Sequence, residues 1–299
     1  MMKQIGACLV QKPLTERSSN HAIGRRQWLA RVTTFAAGSL LVTRGSAQQK
    51  LLPLHNSGLD HLSITVPDSL QAATFYGRIF DPQVFHERTG VQRYYVRLGA
   101  AYIAFGPQAN TTPYIDHIAA GVIDFVETDF GKPEVKAEIT AAGLATPLGV
   151  LPMLLDPDQL RLQLVNATHG LFDTIMPGGK VIPEPAALIP IGLDHIMLSV
   201  TDLDKSAGHY RKLFGAEESR ERNQQRVWFK LADTRLGLEA APAGQRPSFS
   251  HFCVKVAGFD RAVATARLQK LGVKVEAGSE KGTLRFRDLY NLPVEVVAG

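Results

Sequence analysis

The stretch GLDHLSITV at residues 58–66 returns as GLDHIMLSV at 192–200. Aligned at that offset of 134, residues 59–81 and 193–215 share Leu59, Asp60, His61, Val66, Asp68, Ala73, Tyr76 and Phe80. Downstream, RYYVRLG (93–99) matches RVWFKLA (226–232), and YIDHIAAGV (114–122) matches SFSHFCVKV (248–256). A chain that writes one unit twice folds as two copies of it, which bounds the copies at 58–166 and 192–299. The intervening 167–191 is rich in proline and glycine, the composition of a linker.

Each copy divides again. His61 and His117 stand 56 residues apart, and so do His195 and His251. Each half opens with an alternating strand, continues with a helix and closes with short strands. Helices are expected over 69–80 and 203–214, with second helices starting near Pro133 and Asp260. The fold class is therefore α+β, built of four βαβββ modules. In 194–200, Ile196, Leu198 and Val200 share one strand face, and His195, Met197 and Ser199 share the other. The apolar faces suit packing on the helices. The histidine faces must meet solvent or a cleft, and solvent is the default.

Charge is concentrated at the N-terminus. Seven of the 33 Lys/Arg and one of the 28 Asp/Glu fall in residues 1–47, leaving 26 basic residues against 27 acidic. No basic surface is left to hold nucleic acid. Within the leader, Arg25-Arg26 precedes Trp28-Leu29, an apolar run over 32–42 and the small residues Gly45-Ser46-Ala47. This resembles a twin-arginine export signal cleaved after Ala47, and implies passage through the twin-arginine machinery to the periplasm or beyond. The apolar run is too short for a membrane anchor. With Cys8 in the leader, Cys253 has no disulfide partner in the mature chain.

Four βαβββ modules, each with a histidine on its first strand, resemble the vicinal oxygen chelate superfamily. That group includes glyoxalase I, extradiol ring-cleaving dioxygenases and bleomycin-resistance proteins. The resemblance implies two glyoxalase-like domains, each a curled pair of modules, with the working divalent metal in the C-terminal one. In the C-terminal domain it assigns His195, His251 and Glu295 as ligands. Two imidazoles and one carboxylate on one face leave three open octahedral positions, the facial triad of Fe(II) oxygenases. Fe(II) or Mn(II) is the expected ion, with Zn(II) or Ni(II) as alternatives. Glu239 matches the position of the fourth ligand in glyoxalase-type members. Were it to bind, lyase, isomerase or hydrolase chemistry would gain over oxygen activation.

The N-terminal copy offers His61, His117 and Gln163, a set without the anionic ligand, and is expected to be a degenerate or weaker site. Ring-cleaving dioxygenases carry a tyrosine about ten residues before the triad glutamate, and here Arg285 stands there. Candidates for acid–base or substrate-holding work are therefore Arg285, Tyr290 and Glu239, with His209 expected on an outer helix face. The expected partner is a small catechol- or enediol-like molecule. The rivals are oxygen-independent metal chemistry and non-catalytic sequestration of a small molecule. An oligomer is left open.

Overall fold

The structure, a computed structural model, describes residues 50–299 apart from 89, 91, 148–151, 172–174 and 183, and only the backbone of 176–181. The arginine-rich leader lies outside the described residues, and residues 48–299 belong to one compact unit. Among the described residues no helix is long and apolar enough to cross a membrane.

Two eight-stranded sheets correspond to the two copies. The first contains β1 (Asn56–Val66), β2 (Gln83–His86), β3 (Tyr94–Leu98), β4 (Ala101–Pro107), β5 (Tyr114–Val122), β6 (Met153–Leu155), β7 (Arg161–Asn166) and β8 (Met176–Val181). Their spatial order is β6-β7-β5-β1-β4-β3-β2-β8, so part of the proline- and glycine-rich connection adds a strand to the first domain. The second contains β9 (Pro190–Val200), β10 (Ser219–Glu221), β11 (Arg226–Leu231), β12 (Thr234–Ala240), β13 (Ser248–Val256), β14 (Val275–Ala277), β15 (Leu284–Arg287) and β16 (Pro293–Ala298). Its order is β10-β11-β12-β9-β13-β16-β15-β14. The first strands of paired modules lie antiparallel at each sheet's centre, β1 with β5 and β9 with β13. Each module's last strand runs parallel to its first.

The helices are α1 (Ser69–Ile79), α2 (Pro133–Ala141), α3 (Leu203–Phe214) and α4 (Arg261–Lys270). The repeated Asp68 and Asp202 are their caps: each side chain accepts a backbone N–H of the first turn, from Gln71 and Lys205. Asp260 does the same for Val263. The repeated Tyr76 and Tyr210 join the domains. The Tyr76 hydroxyl donates to Asp288 Oδ2 (2.9 Å), and Tyr210 donates to Asp156 Oδ2 (3.2 Å). The other oxygen of each aspartate accepts two N–H groups of its own loop, Asp158 and Leu160 or Tyr290 and Leu292. One apolar core runs through both domains, with Tyr76, Phe105, Phe252 and Phe286 near its middle.

Both faces of β9 are buried from His195 to Val200. Ile196, Leu198 and Val200 belong to the core. On the opposite face His195, Met197 and Ser199 lie inside the curl of the second sheet, with exposures of 0%, 0% and 7%. At His195 and Met197 the histidine face thus meets a filled lumen, while Ser199 borders a cavity that Glu239 and Ser250 also line. His209 also differs from the sequence expectation. It is buried against Tyr210, and burial pushes its ring down to about 4.

Candidate metal centre

Strand register assembles the site before any side-chain detail is considered. One row across the second sheet reads Arg235, His195, Cys253, Glu295 and Arg285, from β12 through β9, β13 and β16 to β15. His251 lies two residues along β13 from Cys253, opposite Met197. Because side chains alternate along a strand, this row and its second neighbours all face the lumen.

Each first strand carries an irregularity at the residue before its histidine. Pairing passes from Leu59 to His61, from Cys253–His195 to Val254–Leu193, from His117 to Ile115, and from Phe249 to His251. The skipped residues are Asp60, Asp194, Asp116 and Ser250. On a regular strand these would point away from the histidine, whereas a bulge re-aims the side chain. All four turn back onto the adjacent ring: Asp60, Asp116 and Asp194 meet Nδ1 of His61, His117 and His195 at 2.6, 2.8 and 2.7 Å, and Ser250 Oγ meets His251 Nδ1 at 2.9 Å. Such an outer partner fixes a ring's tautomer and leaves Nε2 for a ligand. The sequence carries this signal as Asp-His three times and Ser-His once.

The tautomers follow from the network. Asp194 can only accept when ionised, and its carboxyl lies below the usual range. Burial opposes the charge, but the bonds from His195 and Arg235 outweigh it. His195 Nδ1 therefore carries a proton. Ser250 donates to Glu239 Oε1 (3.3 Å), so its oxygen accepts from His251 Nδ1. Burial lowers the His251 pKa and keeps that ring neutral. The two Nε2 atoms then face each other at 3.3 Å. The Nε2 lone pair of the neutral His251 ring then points at His195 Nε2, across the position that an ion shared by the two rings would occupy.

Glu295 completes the group. The ligand atoms of His195, His251 and Glu295 lie within 4.8 Å of one another, and their exposures are 0%, 2% and 0%. Glu295 Oε1 stands 3.9 Å from His251 Nε2. Donors about 2.1 Å from an ion in adjacent octahedral positions are about 3 Å apart, so the set fits a first-row divalent ion. Burial works against the Glu295 charge, yet nearby His251, the Ser279 N–H and the Arg285 guanidinium hold its pKa below the ordinary value. Arg285 donates from Nε (2.9 Å) and Nη2 (2.5 Å) to Oε1, which also accepts Ser279 N–H at 2.7 Å. Oε2 accepts only Ser279 Oγ, at 3.1 Å. Cys253 groups with Asp194 and His195, but burial raises its thiol pKa well above the ordinary value, and the thiol is a poor ligand.

The other sequence candidates lie elsewhere. Glu239 is outside the ligand group, bonded to Arg226 Nη2 at 2.9 Å and to Ser250. It acts on His251 through Ser250 instead of facing an ion. Arg285 holds Glu295 through Nε and Nη2. The Tyr290 hydroxyl donates to the Asp68 carbonyl at 3.1 Å, across the domain boundary. Sequence reasoning missed Asp194, Ser250, Ser279, Arg226, Trp228, Arg235 and Glu280. Of these, only the two residues preceding histidines left a pattern in the sequence.

In the first domain His61 and His117 keep their carboxylate partners, and their rings stand 5.5 Å apart. Asp60 also accepts from His169 at 2.8 Å, and Asp116 from Arg161 at 2.7 Å. Burial opposes the Asp60 charge, but bonds from His169 and His61 bring its carboxyl down to about 2. Gln163 occupies the register of Glu295, opposite Ala119. Tyr102 stacks on His61 at 4.5 Å. This cup keeps the oriented imidazoles and lacks the acid.

Residues 192–295 match the family model described as glyoxalase/bleomycin resistance protein/dioxygenase superfamily. The C-terminal domain belongs to that superfamily. Solved structures similar to this chain share the two-sheet fold across both domains. The 2,3-dioxygenase LapB from Pseudomonas sp. KL28 aligns with a TM-score of 0.60 at 15% identity, over 83% of this chain and 93% of its own. An Mn(II)-bound glyoxalase from Novosphingobium aromaticivorans gives 0.59 at 14%, over 82% of each chain. BphC, a halotolerant catechol dioxygenase, gives 0.57 at 19%, over 82% of this chain and 87% of its own. At these identities the likeness is one of fold. Of these three, the glyoxalase is the one described as holding a metal, Mn(II).

Proposed function

We propose that this protein is an exported metal-dependent dioxygenase of small vicinal-oxygen compounds, with Fe(II) or Mn(II) at His195, His251 and Glu295. The observation that carries the reading is the pair of Nε2 atoms facing each other at 3.3 Å, each ring fixed by an outer acceptor, beside a buried carboxylate. His195, His251 and Glu295 would hold such an ion, which would supply a binding point for a chelating substrate and O2.

The engagement of Glu239 by Arg226 and Ser250 supports this three-ligand reading over a four-ligand, glyoxalase-type centre. The chain's own residues have defined tasks. Asp194 and Ser250 orient the rings, Arg285 and Ser279 hold Glu295, and the packed lumen excludes bulk water. The Mn(II)-bound glyoxalase and the catechol dioxygenases among the similar structures support a divalent metal in this fold.

The test is metal analysis of anaerobically purified protein beside Glu295→Ala, followed by oxygen uptake with catechols. We expect one equivalent of iron or manganese, lost in the variant, and uptake that survives Glu239→Ala. A metal-free protein after reconstitution with Fe(II), Mn(II) and Zn(II) would refute the metal centre. Turnover under strict anaerobiosis would refute the dioxygenase.

A further inference from the structure

The mouth of the second cup is closed by a bridge of ion pairs that contains one replaceable member. The hairpin β10–β11 and the hairpin β14–β15 come from opposite edges of the sheet and meet there, with Arg222 donating to the Ser279 carbonyl at 2.8 Å. Arg226 Nη1 reaches Glu280 Oε1 at 3.0 Å, and Arg235 Nη2 reaches Glu280 Oε2 at 3.4 Å. Each arginine also has a fixed partner near the centre: Arg226 pairs with Glu239 and Arg235 with Asp194, at 2.9 and 3.1 Å. Those partners sit on strands. Glu280 sits at a hairpin tip between Gly278 and Gly282, the latter at φ +89°.

Beneath the two arginines lies Trp228. The Arg235 guanidinium stands 4.4 Å from its ring, Arg226 stands 5.7 Å away, and His195 meets it edge-on at 5.2 Å. The indole fits because Gly237 has no side chain: a Cβ there would come within 2.6 Å of Trp228. Trp228 Nε1 and Arg226 Nε are buried donors with no acceptor. The residue beside Glu280, Ser279, touches both His251 Nε2 and Glu295. Moving this one hairpin tip would uncover the ligand group and free two guanidinium edges over an aromatic wall.

We infer that Arg226 and Arg235 form a carboxylate subsite over Trp228, occupied by Glu280 in the closed protein, so that the ligand of this cup bears a carboxylate. Two arginines converging on one carboxylate are the chemistry of carboxylate recognition, and Trp228 beneath them holds the guanidinium groups in place. Glu280 is then a tethered competitor, and a tether of this length presents it at an effective concentration in the millimolar range or above. The inference deepens the proposed function by naming the substrate class of that site. The anion subsite itself needs no metal.

The experiment follows Trp228 fluorescence in the full chain carrying Trp28→Phe, which leaves Trp228 as the one tryptophan. Metal-free protein is titrated with benzoate and with methyl benzoate, with and without Glu280→Gln. Removing the tethered carboxylate should tighten benzoate by at least roughly tenfold and leave methyl benzoate unchanged. Adding Arg235→Ala to Glu280→Gln should abolish the gain. Glu280→Asp, which keeps the charge on a shorter arm, gives a smaller gain and serves if the glutamine variant unfolds. Equal benzoate affinity with and without Glu280, or an equal gain for the ester, would overturn the inference. Repeating the titration with Mn(II) separates the two readings. A carboxylate gain in a protein that binds no Mn(II) upholds the subsite and removes the metal centre, and Mn(II) binding without the gain does the reverse.

Discussion

Raising the pH from 4 to 7 should weaken this protein through one carboxyl group, Asp156. The side chain is 3% exposed and lies between its own loop and α3 of the other domain. Burial pushes it up to about 6 from an ordinary 3.8, against the bonds from Leu160 and Asp158 N–H and the Tyr210 hydroxyl. The folded protein therefore holds the Asp156 proton more tightly than the unfolded chain does. Its contribution is full below about pH 4 and is lost as pH rises through about 6, with little change beyond. A difference of about two units corresponds to about 3 kcal/mol. Asp288, bonded to Tyr76 in the mirror position, is also raised by burial and acts in the same direction. Asp156→Asn keeps an oxygen for the two loop N–H groups and supplies an amide N–H to the tyrosine oxygen, while removing the titration. Urea unfolding of both proteins at pH 4, 5, 6 and 7 isolates Asp156 from the other carboxylates. The variant should be close to the parent at pH 4 and gain on it by up to about 3 kcal/mol at pH 7. A difference that does not change with pH, or a parent that gains on the variant as pH rises, would show that Asp156 titrates normally.

Two further perturbations probe the centre itself. Ser250→Ala removes the acceptor that fixes the His251 tautomer, and should weaken Mn(II) binding about 10- to 100-fold with the fold intact, read by calorimetry. Unchanged affinity would mean that His251 needs no outer partner. Gly237→Ala places a methyl group 2.4 Å from Met197 Cε and 2.6 Å from Trp228, and should cost about 1–3 kcal/mol while shifting Trp228 emission. An unshifted spectrum at parental stability would show that the lumen is looser than its packing.

Much of the architecture was legible from the chain. The offset of 134 implied two domains, and the 56-residue spacing put paired histidines on neighbouring central strands. Period-two alternation separated Ile196, Leu198 and Val200 from His195, Met197 and Ser199, because alternation is local geometry that any strand must obey. The capping roles of Asp68, Asp202 and Asp260 are local for the same reason.

The tertiary structure decided what those faces meet. Alternation alone would aim Asp194 and Ser250 away from the rings they serve. Their bulges arise from pairing between β9 and β13, and a single strand does not reveal the register of its partner. Glu239 has ligand chemistry, and only Arg226 on the neighbouring strand and Ser250 on β13 turn it to an outer role. Arg285 finds Glu295 because β15 and β16 place them side by side. Glu280 reaches Arg226 and Arg235 because the two ends of one curled sheet meet. Sequence determined the residues that repeat and the faces they share. Closure of the sheet, which joins groups tens of residues apart, determined which charges face each other and therefore which atoms are left for an ion.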